Sequence, residues 1–171
     1  MSNQAKVFNI AKAVQKFADE HFLPSSEIKI ENKNTVLPYV LFKNTRGYIE
    51  KLVFQINKSY ENTCYDACAV MVRRLIELLI IETFEYHSIA RKIKNANGDF
   101  FMLSDLINLT LSEHTWTLGR NTKNGLKKLK IVGDLSAHCR RYNAKRDDID
   151  KIRHDLRVVA EELLYLSNLL K

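Results

Sequence analysis

Pro24 and Pro38 are the only prolines in 171 residues, and five glycines are the only other strong breakers. Proline cannot continue a helix and glycine weakens one, so long helical stretches are free to form after Arg46. The period-2 alternation of β-branched residues that marks an all-β protein is missing over most of the chain. The expected class is all-α: an up-and-down bundle of about five to six helices, with a short extended or loop segment near residues 27–44. A chain of this length buries a core without staples, so one domain over residues 1–171 is expected.

Apolar spacing places the helices. Val7, Ile10, Ala11, Val14, Phe17 and Ala18 form one stripe over residues 4–22, which Pro24 ends. Ile28, Ile30 and the run Val36–Phe42 around Pro38 suggest an extended loop or hairpin, and Pro38 argues against a central strand. A helix is predicted over 46–58 with Tyr48, Leu52, Val53 and Ile56 inward, then a turn at 59–62 and a long helix over 63–86. Ser104 is a candidate N-cap for a helix over 105–113, with Leu106, Leu109 and Thr110 inward. Trp116 falls in the connection that ends near Gly119. Further helices are predicted over 123–141 and, behind Asp147 as cap, to Leu170.

Several function classes lose support. Met1–Ile10 has no apolar core behind basic residues, so no secretory signal is expected. The most apolar run, Leu75–Phe84, carries Glu77 and Glu82, whereas a membrane span needs about 20 nearly uncharged residues. Three cysteines are an odd number without framework spacing, which favours a reducing, cytoplasmic setting. Cys64 and Cys68, four apart on a helix, read as small core residues, and no metal site or cofactor is expected. Gly119 and Gly125 make no phosphate loop, and no nucleophile motif accompanies the histidines. Trp116, Phe100 and Phe101 read as core or interface.

The charge is unevenly placed. Between Arg120 and Arg146 stand nine basic residues, among them Lys127, Lys128, Lys130, Arg140 and Arg141, and one acid, Asp134. That window alone exceeds the whole chain's net charge of +7. Such density favours polyanionic partners, RNA or other nucleic acid above all, and is equally what a solvated helix face looks like.

On a helical wheel Lys127, Lys130, Asp134, His138 and Arg141 fall in one row, with Leu129, Val132, Leu135 and Cys139 roughly opposite. Asp134 precedes His138 by one turn, where a carboxylate can orient the imidazole and raise its pKa for work on a phosphate ester. Earlier, Arg73 and Glu77 share a face at i,i+4. They read either as a helix-stabilising pair or as an arginine held beside a polar cleft.

These segments together resemble the HEPN superfamily of small helical proteins. Tyr65-Asp66-Ala67-Cys68-Ala69 and Arg73-Arg74-Leu75-Ile76-Glu77 are similar to the Tyr-x-Ala-Ala and Arg-Arg-x-x-Glu run of an uncharacterised prokaryotic branch. Gly133-Asp134-Leu135-Ser136-Ala137-His138 resembles its Gly-Asn-x-Ala-Ala-His motif, and the resemblance spans residues 46–170. It implies a HEPN-like bundle, usually dimeric, in toxin, antiviral-defence or stress systems. Many members are metal-independent ribonucleases with an R-x(4–6)-H motif. Carried over, His138 matches the histidine and Asp134 the polar position, as candidate catalytic residues. The arginine falls on Ile131, Val132 or Gly133, so the motif is incomplete.

The leading expectation is therefore nucleic-acid binding through Lys127, Lys130, Arg140, Arg141 and Arg73, with a degenerate nuclease motif. The alternatives are a ribonuclease acting across a homodimer through His138, and a protein-interaction module docking an acidic partner protein. No membrane association is expected.

Overall fold

The computed structural model describes residues 35–170, which belong to one compact unit, Asn32–Lys171. The predicted helix over 4–22, the segment before Thr35, and any single domain reaching back to Met1 lie outside the described residues. Among the described residues five α-helices form: α1 (Gly47–Glu61), α2 (Tyr65–Tyr86), α3 (Leu103–Ser112), α4 (Arg120–His138) and α5 (Arg146–Leu166). Single 3-10 turns stand at Tyr39–Leu41 and Ala90–Ile93. The one strand-like pairing among the described residues is an isolated bridge between Lys94 and Phe100. The chain is an all-α bundle over this range, and no described helix is long and apolar enough to cross a membrane.

Side-chain contacts give the helix directions. Arg46 and Tyr48 at the start of α1 reach Glu82 near the end of α2, while Tyr60 meets Tyr65 edge-on at 5.7 Å. Hence α1 and α2 are antiparallel. Gly119 N–H, at the start of α4, donates to Glu162 late in α5 at 2.6 Å, so these two are antiparallel as well. Asp66 accepts from Ala144 N–H at one end, and Thr83 Oγ donates to the Leu163 carbonyl at the other. That makes α2 parallel to α5, so the four long helices α1, α2, α4 and α5 alternate in direction.

α2 is central, packed against α1, α4 and α5. Its buried positions Cys68, Val72, Leu75, Ile76, Leu79 and Ile80 follow helical spacing, and each large one contributes about 1.5–3 kcal/mol on burial. In the connection between α3 and α4, Trp116 is buried with its ring edge-on to Phe84 at the end of α2, at 5.0 Å.

Helix ends differ from the sequence reading where a partner outside the helix decides them. α1 runs three residues beyond 58, because Tyr60 is buried and its hydroxyl donates to Asp150 Oδ1 at 2.6 Å. Tyr48 is half exposed rather than inward. α3 begins one residue before Ser104, with the Met102 carbonyl accepting from Asp105 and Leu106 N–H. α5 begins at Arg146, and Asp148, not Asp147, accepts the Lys145 N–H at 2.9 Å. Ahead of α1, residues 35–44 have no strand. Buried Asn57 secures them instead, its Oδ1 accepting from Val36 and Leu37 N–H and its Nδ2 donating to the Leu37 carbonyl.

Candidate nucleic-acid interface on α4

The inward stripe of α4 is Thr122, Gly125, Leu126, Leu129 and Gly133. Of the expected inner residues only Leu129 is buried; Val132 is half-buried, and Leu135 and Cys139 are exposed. Glycine explains the rotation. A Cβ at Gly125 would stand 2.7 Å from Val159 Cγ2, and one at Gly133 2.6 Å from Arg73 Cβ. At both positions a neighbouring helix passes where a side chain would be, so the two glycines take the points of closest approach while Thr122, Leu126 and Leu129 fill the rest of the inner face.

The polar row turns with it. Asp134 faces α2, where its Oδ1 accepts from Arg73 Nε at 3.0 Å while its Oδ2 accepts from Lys130 Nζ. Arg73 also lies 3.7 Å from Glu77. Burial alone would raise the Asp134 pKa, but the hydrogen bonds from Lys130 and Arg73 outweigh it and hold the carboxyl below its ordinary value. Both oxygens are committed, and among the described residues no hydrogen bond joins Asp134 to His138. The expected orienting role of Asp134 therefore has no counterpart here. Its carboxylate instead fastens α4 to α2.

The candidate cations divide into two groups. Lys130 and Arg73 are half-buried and paired with Asp134, and Lys128 is paired with Asp155 at 2.8 Å. Lys127, Arg140 and Arg141 are exposed and form no ion pair among the described residues. α4 ends at His138, so Arg140 and Arg141 sit in the following turn, closed by Tyr142 N–H on the Cys139 carbonyl, rather than in the helical row. His138 is exposed at the last turn.

The cysteines correct a further expectation: Cys68 is a core residue, its thiol pushed up to about 12 by burial, but Cys64 is exposed. Sequence reasoning also missed Gly133, Asp155 and Glu162 as the residues that set the pose of α4. The only signal for Gly133 was its place in the motif of the resemblance. The α4 face is thus described by its geometry alone: no family model, no curated protein and no solved structure matches the chain.

Proposed function

We propose that the chain is a HEPN-like helical module that binds RNA, or another nucleic acid, through the outward face of α4 and the turn after it. The observation that carries this reading is the exposure of Lys127, Arg140 and Arg141 without carboxylate partners among the described residues, beside His138. Cations free of internal partners release condensed counterions when they meet phosphates, and a guanidinium fork suits phosphate oxygens. Lys128, Lys130 and Arg73 are engaged within the fold and contribute less. A role in a bacterial defence, toxin–antitoxin or stress system is what the resemblance adds.

Cleavage across a homodimer through His138 is the second reading of the same resemblance. Asp134, the residue meant to serve His138, is tied to two cations, which favours binding over catalysis. Fluorescence anisotropy with single-stranded RNA separates the readings. Binding should weaken with salt, with a log–log slope of about −2 for three phosphate contacts. A variant with Lys127, Arg140 and Arg141 changed to Ala should lose at least about tenfold at low salt. Unchanged binding in that variant, or wild-type binding no better than an acidic control protein, refutes the proposal. RNA cleavage abolished by His138→Ala would move the chain to the catalytic reading.

A further inference from the structure

Arg73 and Arg74 are neighbours in sequence and leave α2 on different sides. Arg73 is absorbed by Asp134 and Glu77, whereas Arg74 is exposed and lines a groove between α1 and α2. Tyr48, Lys51, Leu52 and Gln55 form the other wall, at i, i+3, i+4 and i+7 of α1, and Leu78 lies one turn beyond Arg74. The groove is an open depression of about 430 Å³ on the surface of the two helices.

Its chemistry is mixed in a particular way. Leu52, 7% exposed, and half-buried Leu78 make an apolar floor. Tyr48 closes one end, its hydroxyl donating to the buried Glu82, which restrains the ring. One cation stands on each wall, Lys51 on α1 and Arg74 on α2. Neither forms an ion pair among the described residues, although Lys58 on α1 and Arg73 on α2 both do. A phosphate needs donors that converge on one point. Two cations across a strip of leucine suit a ligand that is apolar in the middle and anionic on both flanks. A polypeptide carries that pattern; a sugar–phosphate backbone has no aliphatic part to place on Leu52 and Leu78.

We propose that the α1–α2 groove docks a short acidic segment of another protein, an apolar side chain seated on Leu52 and Leu78 between carboxylates paired with Lys51 and Arg74. The mode is anchor-in-groove recognition with electrostatic selection of the partner. It shares no residue with the α4 face, so either reading can fail without the other.

Selection of a random peptide library displayed on phage, against the full chain at physiological salt, tests the proposal. Enriched sequences should carry Leu, Ile, Met or Phe within one helical turn of Asp or Glu on both sides. Synthetic versions should lose at least about tenfold in affinity for Arg74→Gln and for Lys51→Gln, and none for Lys127→Ala. Both groove substitutions fall on exposed side chains, and circular dichroism checks that the fold is kept. Failure to enrich such sequences, or affinity indifferent to Arg74 and Lys51, overturns the proposal. So does displacement of the peptide by millimolar inorganic phosphate or AMP, which would make the groove a small-anion site. Self-association of the wild type that Arg74→Gln abolishes would assign the groove to a second copy of this chain, and would equally overturn it.

Discussion

Arg73 Nε and Asp134 Oδ1 lie 3.0 Å apart across sixty-one residues of sequence, tying the middle of α2 to the last turns of α4. Both side chains are mostly shielded, at 22% and 29% exposure. Asp134→Asn keeps the shape and removes the charge, and should cost roughly 1–2 kcal/mol at neutral pH. Because the folded-state pKa of Asp134 is depressed, its contribution is complete above the ordinary carboxylate range and fades as pH falls through the lowered value. Urea unfolding at pH 7 and at progressively lower pH should show the gap between wild type and Asp134→Asn closing with acidification. A gap that stays constant would mean the pair is not the source.

The same helix contact bears on Gly133. Alanine is the better helix former by about 1 kcal/mol, so Gly133→Ala would stabilise an isolated α4. In the fold its Cβ would meet Arg73 Cβ at 2.6 Å and force the helices apart, and overpacking of this kind costs typically 1–3 kcal/mol. The net expectation is a lowered melting temperature. Gly47→Ala is the control, since a Cβ there meets nothing within 4 Å and should leave stability level or slightly raised.

Asn57 makes three hydrogen bonds to the backbone of Val36 and Leu37 from a buried position. Asn57→Ala strands two N–H groups and a carbonyl, for an expected loss of about 2–4 kcal/mol. Hydrogen exchange locates the effect: the Val36 and Leu37 amides should lose protection before the α2 core does. Uniform loss across the bundle would show that this segment and the core unfold together.

Lys127 and Lys128 offer a comparison at constant charge. Each alanine substitution removes one positive charge from adjacent positions, but Lys128 is already paired with Asp155 at 2.8 Å and Lys127 is unpaired among the described residues. Lys127→Ala should weaken RNA binding severalfold and reduce the salt slope by about 0.7 for single-stranded RNA. Lys128→Ala should do markedly less. Equal losses would imply that the face acts only through its total charge.

The helices of this bundle were readable because their signal is local. The stripe Val72, Leu75, Ile76, Leu79 and Ile80 declares both a helix and its buried side without reference to any other segment. Helix ends were less readable, since Tyr60 finds Asp150 ninety residues away and that partner carries α1 past the predicted turn. The exposed cations Lys127, Arg140 and Arg141 were recognisable as candidates from charge density. Which lysines remain available was only half readable: Lys130 and Asp134 stand four apart on one helix, whereas Asp155 is matched to Lys128 only by packing.

By itself, then, the sequence determined an all-α bundle and a basic segment around α4, both consequences of residue type and 3.6-residue spacing. Tertiary structure alone decided how α4 is turned, since Gly125 and Gly133 face inward for the room they leave to Val159 and Arg73. That rotation sets Asp134 against Arg73, which with Lys130 takes both carboxylate oxygens, and close approach of two helices is a property no single helix carries.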